Sequence, residues 1–283
     1  MTDHTAVIDA IAAALAQAQV LPYLGPDVLP ADAPVPRNAL ALAAGITAKT
    51  AVPHKLKTRL TGAAQYIENF KHRKTVNALM TEQFTKPIVP APVHALVARL
   101  GVPLVVDVWY DDALLKAYAG RTDWGTVQGV SQAEHHGEWV AYYQADGTLV
   151  PAEAADAWST LVYKPIGCVS PARNYIVSDS DYVEVLTEID IQTPIPPRVQ
   201  SIRTGRSFLF VGCRFADQLE RSYARQVMKR SSSTHWAVIP GELTRNEAKF
   251  VQEQNITRID MQTADFVAAL DAALARQGAA QSA

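Results

Sequence analysis

Six short apolar stretches, most of them separated by helix-period segments, organise the chain: Val20 to Leu24 (VLPYL), Pro103 to Trp109 (PLVVDVW), Thr160 to Lys164 (TLVYK), Ser207 to Gly212 (SFLFVG), Trp236 to Ile239 (WAVI) and Ile256 to Met261 (ITRIDM). Unbroken apolar runs flanked by helices are the mark of parallel strands covered on both faces. Parallel neighbours need a crossover helix. Between SFLFVG and WAVI the residues Leu219, Tyr223, Val227 and Met228 recur at helical spacing, with Arg and Lys between them. The pattern predicts an α/β fold: a Rossmann-like, six-stranded, mostly parallel, doubly wound sheet.

Two stretches break the alternation. From Pro36 to Phe84 the apolar positions are helical (Leu40, Leu42, Ile46; Leu56, Leu60, Tyr66, Ile67; Val76, Leu79, Met80), which predicts an inserted helical cap within residues 30–90. Residues 120–155 bring glycines (Gly125, Gly129, Gly137), alternation from Glu138 to Tyr143 and an Asp146-Gly147 turn, the signature of a small antiparallel hairpin module inserted into the sheet. The whole, 1–283, reads as one domain. Local punctuation agrees: Ser178 opens one helix, Thr244 with Glu247 forms a capping box for another, and Asp111 or Asp112 can cap the helix from Ala113.

Composition narrows the function classes. With 26 basic against 28 acidic residues the chain has no basic footprint for nucleic acid, and no apolar run reaches the ~20 residues that span a bilayer. The N-terminus MTDHTAVIDAIAAALAQ lacks a positive n-region, so the expectation is a cytoplasmic protein. Cys168 and Cys213 make neither a four-cysteine zinc site nor a disulfide framework. His135 and His136 are adjacent on a strand pattern and would face opposite ways, so no metal is expected.

Parallel sheets bind ligands outside the carboxyl ends of their strands, which selects the candidates. Gly212-Cys213-Arg214-Phe215-Ala216-Asp217 joins a strand to a helix; Gly212 lets backbone approach a ligand and the helix N-terminus can face an anion. Gly25-Pro26-Asp27 ends the first strand, although Pro26 removes an amide donor. Asp107, Trp109, Tyr110, Asp111 and Asp112 crowd the end of the second strand, and Gly167 follows the third. Each also has a structural reading. Gly212 serves close packing, Asp217 offsets a helix dipole, Cys213 and His235 are core groups, and Trp109, Tyr110 and Phe215 are core aromatics. Arg214 suits a phosphate by its forked geometry.

The ordered series Pro22-Tyr-Leu-Gly25, Val105-Val-Asp-Val-Trp-Tyr-Asp-Asp112, Tyr163-Lys-Pro-Ile-Gly167, Ile176-Val-Ser-Asp-Ser-Asp-Tyr182, Phe208-Leu-Phe-Val-Gly212 with Asp217, and His235-Trp-Ala-Val238 resembles the sirtuin-like domain of bacterial proteins, over about residues 20–270. It is most similar to a subgroup often encoded near nitrogen-fixation genes. The resemblance implies a Rossmann-type domain with a helical cap that binds NAD or an ADP-ribose-type ligand between the two. It also implies an Asn where this chain has Trp109 and a His where it has Ile166, and an isoleucine can accept no proton. Three readings follow: a nucleotide-binding sensor with degenerate catalytic residues; an NAD-consuming hydrolase or deacylase using Asp107, Asp111, His135 or another of His54, His72 and His136; and an interaction protein with a filled pocket. A homo-oligomer or a protein partner is left open.

Overall fold

The structure, a computed structural model, describes residues 4–133, 137–188 and 195–281. Its centre is a nine-stranded sheet in the order β11-β10-β9-β1-β2-β6-β3-β4-β5. The strands are β1 (Val20–Leu24), β2 (Leu104–Asp107), β3 (Trp124–Gly129), β4 (Val140–Gln144), β5 (Leu149–Val150), β6 (Thr160–Lys164), β9 (Ser207–Val211), β10 (His235–Val238) and β11 (Ile256–Ile259). The seven from β11 to β3 are parallel; β4 and β5 add an antiparallel hairpin at one edge. A separate ribbon pairs β7 (Gly167–Cys168) with β8 (Asn174–Tyr175). All six apolar stretches are strands, and β1, β6 and β9 are buried at every position, as a doubly covered sheet requires.

The expected strand count needs correction. Trp124–Gly129 is a full member of the parallel sheet, paired with β6 from Trp124↔Thr160 to Gln128↔Lys164, and it carries β4 on its other side. Apolar pattern could not reveal it, because Thr126 and Gln128 point into the protein and are buried as polar side chains. Gln128 Nε2 donates to the Ala172 carbonyl at 2.6 Å, while its Oε1 is buried without a partner among the described residues. Gly125 and Gly129 are required by contact, since a Cβ would lie 2.3 Å from the Trp158 ring and 2.1 Å from the Pro165 carbonyl oxygen.

Eleven α-helices occur among the described residues. α1 (Thr5–Ala16), α5 (Pro92–Leu100) and α11 (Thr263–Gln281) bury Ile11, Leu15, Leu96, Val97, Phe266 and Leu270 on one face of the sheet. α8 (Pro197–Arg203), α9 (Gln218–Met228) and α10 (Arg245–Glu253) cover the other with Val199, Val227 and Phe250. Each such fully buried side chain stabilises the fold by about 1.5–3 kcal/mol. α6 (Ala113–Ala117) follows β2, and α7 (Asp179–Glu188) follows β8.

Three of the helices between β1 and β2 form a layer over the carboxyl ends of the strands: α2 (Ala39–Ala48), α3 (Leu60–Lys71) and α4 (Arg73–Phe84). Asn38 caps α2 by accepting the Ala41 amide at 2.8 Å. His72 alone, at φ 70°, separates α3 from α4. The buried positions Leu42, Ile46, Ala63, Ile67, Val76, Met80 and Phe84 belong to one apolar cluster that also contains Trp109, Tyr110, Ile166, Tyr175 and Tyr223 from the sheet side. Cap and sheet edge therefore share a single core.

Candidate functional site

The chain passes from β1 to β2 on one side of the sheet and later returns from β6 to β9 on the other side of β1. Crevices open at such a reversal, outside the carboxyl ends of the strands. Gly25 and Gly212 stand there. The Gly25 amide donates to the Val211 carbonyl (2.9 Å) and the Asp27 amide to the Gly212 carbonyl (3.1 Å). The Val28 and Leu29 amides turn back to the carbonyls of Gly25 and Pro26, and Pro26 has no N–H. Every amide from Gly25 to Leu29 is thus engaged inside the protein. The approach is tight: a Cβ on Gly25 would lie 2.3 Å from the Gly212 oxygen and 2.7 Å from Cys213 Sγ, and one on Gly212 would lie 2.6 Å from the Val28 nitrogen. Gly212 is also at φ 73°, where a side chain is strained.

The end of β2 is filled by aromatic side chains. Trp109 is 6% exposed; its indole N–H donates to the Pro36 carbonyl at 2.8 Å, and its ring meets Phe84 edge-on at 6.1 Å and Tyr110 at 5.1 Å. Tyr110 is fully buried, donates its hydroxyl to the Ile176 carbonyl (2.8 Å) and packs on Tyr175 at 6.0 Å. Ile166 lies in the same cluster. A cavity of about 10 Å³ beside Tyr163, Ile176 and Tyr223 holds one water at most. The cap is also bolted down: Arg73 in α4 pairs with Asp181 (2.7 Å) and donates to the Tyr175 carbonyl, while Thr81 and Tyr175 hydroxyls meet at 2.9 Å.

Beneath the aromatics lies a buried charge group. Lys164, at the end of β6, is completely buried; its ammonium donates to Asp107 Oδ2 (2.8 Å) and to the Asp111 carbonyl (2.9 Å). Burial opposes that charge, and the carboxylates of Asp107 and Asp111 outweigh it, holding the ammonium above the ordinary lysine range. Burial raises both carboxyls against the pull of Lys164, and at Asp111 the neighbouring Asp107 adds to the rise. Their other bonds are structural: Asp107 accepts the Trp109 amide (3.2 Å) and Asp111 the Ala113 amide (2.8 Å), opening α6. Cys168 donates to the same Asp111 carbonyl at 3.1 Å, and burial pushes its thiol up to about 12. Nearby His94 accepts the Ala91 amide on Nδ1 (2.9 Å); burial, reinforced by Lys164 and opposed by Asp111, lowers it to about 4. The sequence reading missed Lys164 as a member of this group. Its signal was a lysine closing an otherwise apolar strand.

The remaining candidates are placed as follows. Arg214 grips Glu247 (Nε to Oε1, 3.0 Å) and donates to the Pro240 and Glu242 carbonyls (2.7 and 2.9 Å), so its fork is occupied by protein. Glu247 is fully buried and also closes the Thr244 capping box. Asp217 is the N-cap of α9, accepting the Leu219 amide at 2.7 Å. Phe215, at φ 58°, is 1% exposed between Phe210 (5.2 Å) and Phe250 (4.8 Å). Cys213 is buried, which raises its thiol well above the ordinary value and makes it unreactive. Gly167, at φ 87°, opens the β7–β8 ribbon, where a Cβ would meet the Asn174 oxygen at 2.1 Å. Asp27 faces Arg37 at 3.9 Å, and burial raises its carboxyl. His54 and His72 are exposed, away from the buried group; His135 and His136 lie outside the described residues. His235 accepts the Phe208 amide on Nδ1 at 3.0 Å, and burial lowers it to about 4. Among the described residues no three His, Cys, Asp or Glu side chains are grouped to hold a metal ion, and no helix is long and apolar enough to cross a membrane.

The structure thus gathers Asp107, Trp109, Tyr110, Asp111, Gly167 and the Gly25–Gly212 contact at one sheet edge, but as core and backbone contacts. One solved structure, described as "Structural Basis for the Mechanism and Regulation of Sir2 Enzymes", is similar over 96% of this chain and 98% of its own, at 11% identity and a TM-score of 0.48. No curated protein matches the chain. A family model, the SIR2-like domain, matches residues 103–259, from the start of β2 to the end of β11 and more than half of the 283 residues. The chain belongs to the SIR2-like domain family.

Proposed function

We propose that this chain is a SIR2-like domain without NAD turnover, which works by binding a partner while the crevice of the fold serves as hydrophobic core. The engagement of every amide from Gly25 to Leu29 carries the reading, since a pyrophosphate held at this loop would need those donors. Trp109 and Ile166 support it. Neither offers an acid or base, and both are packed under the cap in place of the Asn and His that the resemblance implies. The residues at this edge do not fit an NAD or ADP-ribose group. A cytoplasmic location and a bacterial nitrogen-fixation context belong to the same proposal and rest on the resemblance.

Membership of the SIR2-like family favours a second reading, in which the domain still senses NAD or ADP-ribose by lifting the cap. Calorimetric titration with each ligand, at concentrations that reveal a roughly millimolar site, separates the two. The proposal expects no heat and no released nicotinamide. Saturable heat without nicotinamide would establish the sensor and sink the filled crevice. Nicotinamide release would overturn both.

A further inference from the structure

The outer face of the cap is charged unevenly. From Lys49 to Lys86 the chain carries eight lysines and arginines against two glutamates, although the whole chain has a net charge of -2. Both glutamates are taken, Glu82 by Lys49 and Glu68 by Arg73 at 3.2 Å. Lys55, Lys57, Arg59, Lys71, Lys74 and Lys86 are exposed and have no carboxylate partner among the described residues. On α3, Gly62, Tyr66 and Phe70 recur every four residues and so share one side of the helix. Phe70 is 65% exposed and stacks on the half-buried Tyr66, ring centres 4.5 Å apart. A Cβ on Gly62 would meet Leu56 at 3.3 Å and Arg59 at 3.9 Å, so this stripe has Arg59 at one end and Lys71 and Lys74 at the other. The core is served by other positions of α3, Ala63 and Ile67, and folding has no need of a phenylalanine at the surface.

The β4–β5 hairpin has the opposite character. Between residues 122 and 163 there is no lysine or arginine. Asp123 is held by Arg121 at 2.8 Å, and Asp156 lies 3.9 Å from Arg198. Asp146 accepts the Thr148 amide of its own turn at 2.8 Å. Glu138 and Glu153 are exposed with no cation beside them among the described residues. Burial raises the Tyr142 hydroxyl, and the charges of Glu153 and Glu138 raise it further, so both lie close to it. On the same hairpin Leu149 is 65% exposed against its cross-strand partner Tyr143. Cap and hairpin adjoin: Gln132, in the loop between β3 and β4, donates to Glu68 of α3 at 3.4 Å, and Trp139 packs against the cap's apolar cluster.

Each patch offers what the other lacks, an apolar centre framed by charge of the opposite sign. A separate acidic protein would leave the hairpin's glutamates unmet, and a polyanion on the cap would be repelled by them. A second copy of the chain meets both. Since the patches adjoin on each molecule, one two-fold axis can set the cap of each copy on the hairpin of the other and close the assembly. We propose that the chain pairs with a second copy of itself in this reciprocal way, with Phe70, Lys71 and Lys74 of each copy on Leu149, Glu138 and Glu153 of the other. This rests on the partner-binding role proposed above and names the partner; the crevice at the carboxyl edge takes no part in it.

Sedimentation velocity of the full chain tests the pairing. A monomer–dimer equilibrium in the micromolar range is expected, weakened about tenfold as salt rises from about 0.05 to 0.5 M. Lys71→Glu/Lys74→Glu and Glu138→Lys/Glu153→Lys should each be monomeric while keeping the circular dichroism of the parent. Their equimolar mixture should sediment as a dimer, because one contact is then the parental one and the other has both signs exchanged. Phe70→Ser should weaken pairing about tenfold. A chain that stays monomeric up to about 0.1 mM, a dimer that ignores both reversals, or a mixture that stays monomeric overturns the proposal. A single-stranded oligonucleotide bound by the monomeric chain would assign the cap to nucleic acid and overturn it too. The two readings fail separately: a dimer that gives saturable heat with NAD sinks the filled crevice and keeps this interface, and a monomer that gives none does the reverse.

Discussion

At the carboxyl edge of the sheet Gly25 and Gly212 meet without room for a methyl group; at the amino edge the segment Ser231–Thr234, joined to Asn255 by a hydrogen bond, borders an open crevice of about 490 Å³. Both edges are lined by loops from neighbouring strands, and both carry charge. They differ in where the charge is satisfied. At the carboxyl edge Lys164 is neutralised by Asp107 and capped by a backbone carbonyl in full burial, and Arg214 is locked to Glu247. At the amino edge Arg225 and Arg230 are exposed, and Arg225 lies 3.9 Å from Glu253. Strand order alone therefore does not decide where a fold carries a site.

If the carboxyl edge is core, its charges should behave as structural ones. Lys164→Met strands two buried carboxylates and should cost about 3–5 kcal/mol in urea unfolding. The sign with pH is fixed by the raised carboxyls. The folded state of the variant holds a proton that the unfolded state releases near the ordinary value of 3.8, so its stability falls as pH rises above that value. A variant as stable as the parent at neutral pH would mean the group is hydrated, and the crevice open.

Gly212→Ala asks the same question of the backbone. The left-handed φ and the 2.6 Å approach to the Val28 nitrogen predict a loss of about 2–4 kcal/mol by chemical denaturation. Little or no loss would show that the loops can separate, as a ligand would require.

His94 and His235 sharpen the comparison by acid titration, one under the carboxyl-edge charge group and one at the amino-edge crevice. Both are lowered to about 4 by burial, so the unfolded chain takes up protons first. Stability is complete above the unfolded value of 6.5 and is lost as pH falls from there towards 4, by up to about 3 kcal/mol for His94. His94→Gln should flatten that slope in acid-unfolding curves monitored by circular dichroism.

The smallest effect belongs to the amino edge. Arg225 and Glu253 are each about half exposed at 3.9 Å, so Arg225→Gln should shift stability by less than about 0.5 kcal/mol. A large shift in the melting temperature would show that these cations are structural after all.

Much of the fold is legible in the chain because apolar runs report burial on both faces, and all six runs are strands. β3 was hidden by its own chemistry: a strand with Thr126 and Gln128 buried as polar side chains and flanked by Gly125 and Gly129 has no apolar run to read. The candidate residues were legible as places, since Gly25, Trp109, Tyr110, Asp111 and Gly212 do converge at one edge. Their roles were not, because whether Arg214 faces a phosphate or Glu247 depends on a helix about thirty residues later, and whether Asp107 is a base or a counter-ion depends on Lys164, 57 residues later on the neighbouring strand β6. Only side-chain contact decides such cases.

The central position of β1 has a consequence for how the chain is made. Its residues pair with β9 from Val20↔Ser207 to Leu24↔Val211, and with β2 at only Tyr23↔Val106 and Leu24↔Asp107. During vectorial synthesis the first strand must wait, with one hydrogen-bonding edge bare, until most of the protein has left the ribosome. Loop closure over so long a separation is slow. The cap helices α2–α4, whose contacts with one another are short-range in sequence, can form in the interval.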